Sequence, residues 1–159
     1  MPKTALIEQI RAALEAELAA VAASAADAHS AATHEDAKPE NQYDTRGLEA
    51  SYLAGAQAGR VQDLAHRINS LEFVPVKVFG PEDPIALTAV VTLDDGERTR
   101  RYFLAPDGGG LKVNDEQGQL FVITPKSPIG RALIDKVLGD IVQVPLKRKL
   151  IEMELVEVA

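Results

Sequence analysis

Acidic side chains collect in one short run, His34-Glu35-Asp36-Ala37-Lys38-Pro39-Glu40-Asn41-Gln42-Tyr43-Asp44. Carboxylates are the oxygen ligands that a hard divalent cation takes, and they are equally what a solvated loop tip displays. Asp44 has a further role open to it as the cap of a following helix. Glu49, in the first turns of that helix, favours the helix dipole. His34 reads as a helix-end residue, because no partner histidine stands at zinc-ligand spacing. The chain has no cysteine, which excludes thiolate metal sites and cysteine catalysis. It also lacks a Gly-x-Ser-x-Gly elbow, a phosphate-loop lysine and paired histidines, so no catalytic centre of its own is expected. A second run, Pro125-Lys126-Ser127-Pro128, reads first as a helix start. A serine at the N-cap precedes a proline at the first helical position.

Two apolar stripes must position the acidic run. Ile7, Ile10, Leu14, Leu18, Val21, Ala25 and Ala28 stand three or four residues apart, as on a helix packed against one partner. Ala50, Ala54, Val61, Leu64, Ile68 and Leu71 repeat that spacing. Folded antiparallel about Pro39, the stripes mirror each other: Ile7 with Leu71, Ile10 with Ile68, Leu14 with Leu64, Leu18 near Val61, Ala28 with Ala50. The pattern predicts a two-helix hairpin over residues 4–72 that turns within 38–41, with Thr4 as a cap. Leucine and isoleucine lie at its base. Alanine and glycine line its distal half, which therefore buries less apolar area per residue. About 27 residues per helix give a rod of roughly 40 Å with acids at its end.

From Phe73 onward the period shortens to that of strands. Val74, Val76 and Val78 alternate, and Ile85, Leu87, Ala89, Val91 and Leu93 continue the pattern after Gly80-Pro81-Glu82-Asp83-Pro84. Asp95-Gly96 predicts a hairpin turn, with residues 98–104 pairing back. Short strands are expected at 111–113 and 120–123. A helix opened by Ser127-Pro128 and carrying Ile129, Ala132, Leu133 and Val137 should stop at Gly139-Asp140, and strands at 141–144 and 151–158 close the sheet. No internal repeat is visible.

The formal net charge is −7, and the basic residues are thin, clustering only at Arg98, Arg100 and Arg101 and at Lys147-Arg148-Lys149. A free-standing reader of duplex DNA carries a basic face, so nucleic acid is expected to be met only indirectly, through a partner. The N-terminal residues lead straight into an amphipathic helix, and no apolar run approaches the ~18–20 residues of a membrane span. A cytoplasmic, non-membrane protein is expected.

The run Ile123-Thr124-Pro125-Lys126-Ser127-Pro128-Ile129-Gly130-Arg131-Ala132-Leu133-Ile134, followed by Gly139-Asp140 and a Val/Ile strand, resembles the GreA/GreB transcription elongation factors. The layout of the whole chain is similar to theirs. In residues, the resemblance is specific over 123–140 and weaker around Glu40-Asn41 and over 49–52. The family's hairpin carries an Asp, then Glu-Asn, then Glu-Tyr within one short run. Here Asp36 is followed by Glu40-Asn41 and Tyr43 at a different spacing, and Asp44, Glu49 and Tyr52 form a second partial match.

The resemblance implies an α+β fold. An N-terminal antiparallel coiled-coil hairpin (residues 1–72) is followed by a small FKBP-like antiparallel sheet domain with one short helix (residues 73–159). It implies a partner, bacterial RNA polymerase, whose secondary-channel rim would be contacted by Pro125, Lys126, Ser127 and Pro128. The hairpin would then pass down the channel, where Asp36, Glu40 and Asp44 assist the polymerase in cleaving backtracked RNA. Asp36 and Glu40 would share a transient magnesium ion with the polymerase, which suits a hard cation. No tightly bound cofactor and a monomeric state are expected. Two other readings are open: a Gre-like channel-binding regulator that does not stimulate cleavage, and a generic hairpin adaptor. Prolyl isomerisation would need an aromatic-lined pocket, and the sheet domain offers only Phe73, Phe79, Tyr102, Phe103 and Phe121, with no tryptophan.

Overall fold

The computed structural model describes residues 2–34 and 46–159. Helix α1 (Lys3–Thr33) and helix α2 (Arg46–Glu72) are followed by strands β1 (Val90–Asp94), β2 (Thr99–Leu104), β3 (Lys112–Asp115) and β4 (Gly118–Ile123). Helix α3 (Pro128–Leu133) and strands β5 (Ile141–Leu146) and β6 (Lys149–Val158) complete the chain. Contacts divide it into two compact units, Ala12–Asn69 and the combination of Met1–Arg11 with Ser70–Ala159. The first turns of α1 thus belong with the sheet.

In the helical unit the stripes fold as their spacing requires. Leu14, Ala28 and Leu64 are buried, and Leu18, Val21, Ala25, Ala54 and Val61 are half-buried. Arg60 donates to Glu17 at 2.5 Å and Gln57 to Ser24 at 2.6 Å, so one helix descends as the other ascends. Such exposed polar pairs add little stability but fix direction. Apolar cover fades along α2: Leu64 is 1% exposed, whereas Leu48 and Leu53 are 53% and 54% exposed. The turn expected within 38–41 lies outside the described residues. Helix α1 begins at Lys3 rather than after a Thr4 cap, because the carbonyl of Pro2 already accepts from the Ala5 amide at 2.9 Å. Proline at a helix start forfeits no needed donor.

The second unit is a six-stranded sheet in the order β3-β4-β2-β1-β6-β5. The expected antiparallel pairing holds for β1–β2, β1–β6, β3–β4 and β5–β6. Strands β2 and β4 run parallel, Tyr102 opposite Phe121, so the sheet is mixed. After β2 the chain reverses but swings wide, and β3 takes the outer position; β4, returning from β3, fills the slot beside β2. One face carries the core: Val91, Leu93, Tyr102, Leu104, Ile123, Val144 and Leu155 pack with Phe79, Ile85 and Leu133. The intervening Phe103, Val113 and Leu120 are buried on the other face, as are Leu6 and Ile10 of α1. Gly108 (φ 87°) allows that close approach, since a Cβ there would collide with the Ile10 side chain.

Two side chains of α1 make specific contacts within this unit. The Gln9 carboxamide donates to the Asn114 carbonyl at 2.7 Å and accepts from the Asn114 amide at 2.9 Å, as a neighbouring strand would. The Lys3 ammonium donates to the Lys77 carbonyl at 2.6 Å and lies 4.7 Å from the centre of the Phe79 ring. Burial depresses the Lys3 amine to a pKa of about 8, outweighing the ring and the carbonyl that favour its charged form.

The strands expected over 74–78 and 85–89 do not form. Val76 and Val78 are exposed, and Thr88 (φ 72°) leaves extended geometry. Thr88 is held there by its amide donating to the Leu104 carbonyl and its hydroxyl accepting from the Lys77 amide. Alternation of β-branched residues is not enough where no strand lies alongside. Helix α3 also ends sooner than expected, at Leu133, leaving Val137 outside it. Asp135 (φ 67°) turns the chain so that the Asp135 amide and the Lys136 carbonyl bond the backbone of Ile85.

Candidate functional site

Strand β4 delivers Ile123 to the run Thr124-Pro125-Lys126-Ser127 that opens α3. The Thr124 carbonyl accepts from both the Ser127 amide (3.0 Å) and the Ser127 hydroxyl (2.8 Å), which closes a tight turn. The same hydroxyl accepts from the Gly130 amide at 3.0 Å. Ser127 has extended backbone (φ −69°, ψ 153°), and Pro128 occupies the first helical turn. This is the expected cap. Gly130 is required for the turn to close, because a Cβ there would overlap the Thr124 carbonyl. The result is a rigid corner with Lys126 and Pro128 exposed and Pro125 and Ser127 half-buried.

That corner forms one wall of a concave site of about 420 Å³. The remaining walls come from Arg100 and Tyr102 of β2, Phe121 of β4, Ile129 of α3, and Pro145 and Leu146 of β5. Tyr102 and Phe121 stack obliquely, ring centres 6.1 Å apart at 42°. The lining is chiefly apolar, and Arg100 supplies its only charge among the described residues. Burial pushes the Tyr102 hydroxyl above its ordinary pKa, and its hydrogen bond with Arg100 opposes the shift. On the far side of the corner, Leu87, Asp107, Thr124, Pro125 and Lys126 line an open groove. A site of this kind, apolar with one polar fixture, takes an apolar group and orients it.

The structure therefore gathers Pro125, Lys126, Ser127 and Pro128 at one corner. Asp36, Glu40 and Asp44 lie outside the described residues, as do Glu35, Asn41 and Tyr43. Glu49 stands in the first turn of α2, and His34 donates its amide to the Ser30 carbonyl just beyond α1. Among the described residues no group of three or more His, Asp or Glu gathers to hold a metal ion, and no helix is long and apolar enough to cross a membrane. Sequence reasoning missed the concave site. Its walls Tyr102 and Phe121 are among the aromatics set aside above as too few to line a pocket, and Arg100, Tyr102 and Phe121, Ile123 do alternate along their strands. Their convergence depends on the parallel β2–β4 pairing, which leaves no local signal. Phe73, by contrast, is 76% exposed, and Phe79 and Phe103 are buried in the packing.

Residues 80–159 match the protein family described as "Transcription elongation factor, GreA/GreB, C-term". The chain is 28% identical over 128 residues to transcription elongation factor GreA of Neisseria meningitidis serogroup B, a match covering 80% of this chain and 76% of that protein. It is 29% identical over 131 residues to GreA of Xanthomonas axonopodis pv. citri, covering 81% and 77%. Among solved structures it is similar to GreA factor homolog 1 of Thermus thermophilus, with 21% identity, a TM-score of 0.41 and coverage of 94% of each chain. The family match spans the sheet, the capped corner and the concave site described above, and with it this chain belongs to the GreA/GreB family of transcription elongation factors.

Proposed function

We propose that this chain is an elongation factor that binds bacterial RNA polymerase through its sheet domain, reaches into the secondary channel with its helical hairpin, and stimulates cleavage of backtracked RNA. In this reading the unit that holds the sheet docks and the helical unit, Ala12–Asn69, reaches. The observation that carries it is the corner at 124–128, which presents Lys126 and Pro128 to solvent on a turn closed by three hydrogen bonds of Ser127. A preformed loop of this kind loses little conformational freedom on docking.

Asp36 and Glu40 would offer carboxylate oxygens to a magnesium ion shared with the polymerase, a donor set without sulfur or imidazole that suits a hard cation. Such an ion, when bound, supplies charge stabilisation for phosphodiester hydrolysis. The chain's own part is to place carboxylates, so the catalytic centre remains the polymerase's and the chain needs no activity alone. The altered spacing of Asp36, Glu40-Asn41 and Tyr43 favours a second reading, a channel occupant that binds without stimulating cleavage.

The test is RNA cleavage in stalled, backtracked elongation complexes with and without the protein, alongside direct binding to the polymerase. New 3′ fragments support the first reading. Binding without fragments supports the second, and no binding overturns both. Replacing Ser127 and Pro128 together by alanine should weaken binding by about tenfold or more, while loss of the cap costs only ~1 kcal/mol of stability.

A further inference from the structure

Residues 74–78 have the composition of a strand, yet no strand of the described residues lies beside them. Pro75 fixes its own φ and biases Val74 toward extended backbone. The Lys77 ammonium lies 4.9 Å from the centre of the Phe79 ring, as side chains two apart on one side of an extended chain can. Extended backbone turns the amide and carbonyl of alternate residues to opposite edges. Lys77 serves the inner edge: its amide donates to the Thr88 hydroxyl at 3.0 Å, and its carbonyl accepts from the Lys3 ammonium at 2.6 Å. Pro75, on that same edge, has no amide hydrogen to lose. Val74, Val76 and Val78 serve the outer edge, and among the described residues nothing bonds the backbone of any of them. Their side chains are poorly covered as well: Val78 is 85% exposed and Val76 42%, close in the chain to Phe73 at 76%. A row of β-branched residues on an unpaired edge is what a neighbouring strand adds to.

We infer that this edge pairs with the same segment of a second copy of this chain, antiparallel about Val76, to form a two-fold dimer. The order of residues selects that occupant. Centred on Val76, the register sets Val76 opposite Val76, Val74 opposite Val78, and Pro75 opposite Lys77. The valine pairs then fall where facing residues exchange both backbone bonds. Pro75 falls where the amide points away from the partner, so its missing hydrogen costs the pairing nothing. Valine meets valine across the two strands, a β-branched match that suits a pleated surface. Every contact is its own two-fold mate, as an isologous interface requires, and the pair closes on itself. Segments this short bury less than the ~1,200–2,000 Å² of a stable complex. The chain is therefore monomeric when dilute and pairs only when concentrated. The inference stands apart from polymerase binding.

The chain contains no cysteine, so single introduced cysteines report the register. Residues facing each other in a bonded antiparallel pair have Cα atoms about 5.5 Å apart, within disulfide reach. Val76→Cys should cross-link two copies of the full chain under mild oxidation at high protein concentration. Val78→Cys should not, because its counterpart lies more than about 13 Å away along the partner strand. Sedimentation equilibrium of the parent from about 1 μM to about 1 mM should show monomer passing to dimer. Val76→Pro removes the central outer amide and leaves the inner edge alone, and Val76→Lys sets like charges face to face. Each should weaken association by about tenfold or more, with thermal unfolding to confirm the fold; if Val76→Pro unfolds, Val76→Lys decides. A parent that stays monomeric throughout, equal cross-linking by Val76→Cys and Val78→Cys, or folded variants that pair like the parent would each overturn the inference. So would a monomeric parent whose binding to RNA polymerase is weakened by Val76→Pro, which would give the edge to a strand of the polymerase instead.

Discussion

At the scale of single residues, Gly130 and Ser127 share one carbonyl. The Ser127 hydroxyl and amide bond the Thr124 oxygen, and the Gly130 Cα lies too close to that oxygen for any side chain. Gly130→Ala should therefore cost about 2 kcal/mol or more, because backbone must move. Ser127→Ala should cost ~1 kcal/mol, the worth of a cap. Urea unfolding of the two variants checks the order, and Ser127→Ala being the more damaging would contradict the geometry. Lys3 gives a prediction in pH. Its pKa falls from 10.5 to about 8 in the folded chain, so below about 8 both states hold the proton. Between those values the unfolded state binds more protons, and stability rises with pH. The parent should gain on Lys3→Met as pH increases from 8 to 10.5; a constant difference between their unfolding curves would show that burial does not set this amine.

At the scale of elements, the helices were the most legible. A stripe three or four residues apart survives any detail of loops, and Leu14, Ala28 and Leu64 are buried where it places them. The Asp95-Gly96 hairpin and the Ser127-Pro128 cap were also readable, because both are written in local turn and cap chemistry. What failed was reading strands from alternation alone. Val74, Val76 and Val78 alternate without a neighbouring strand, while Phe79 and Ile85 enter the core from irregular backbone. The β5–β6 turn was hidden for the opposite reason: Lys147-Arg148 takes a left-handed geometry that its composition does not advertise. The parallel pairing of β2 with β4 arises from the wide path of the chain through β3. Everything that depends on it was illegible too, including the wall shared by Tyr102 and Phe121.

At the scale of the whole molecule, the proposed roles of docking and reaching separate along the chain. Neutralising Asp36 and Glu40 to Asn and Gln should abolish stimulated RNA cleavage without reducing polymerase binding, since isosteric amides lose the charge that a hard cation requires. Asp44→Asn is the control, because asparagine caps a helix as well as aspartate does. Activity retained in that variant assigns Asp44 to capping, and activity lost assigns it to the ion. Loss of binding in the Asp36/Glu40 variant would refute the separation. The clasp between Gln9 and Asn114 bears on a different property, the behaviour of this protein at high concentration. A sheet with two ends offers two rows of unmatched amides and carbonyls on which further copies can grow. Here the β3 end has the backbone amide and carbonyl of Asn114 engaged by a carboxamide, and the β5 end contains Pro145, which has no amide hydrogen to offer. Neither end is a clean template for strand addition, so a sheet edged this way resists fibril growth in crowded solution.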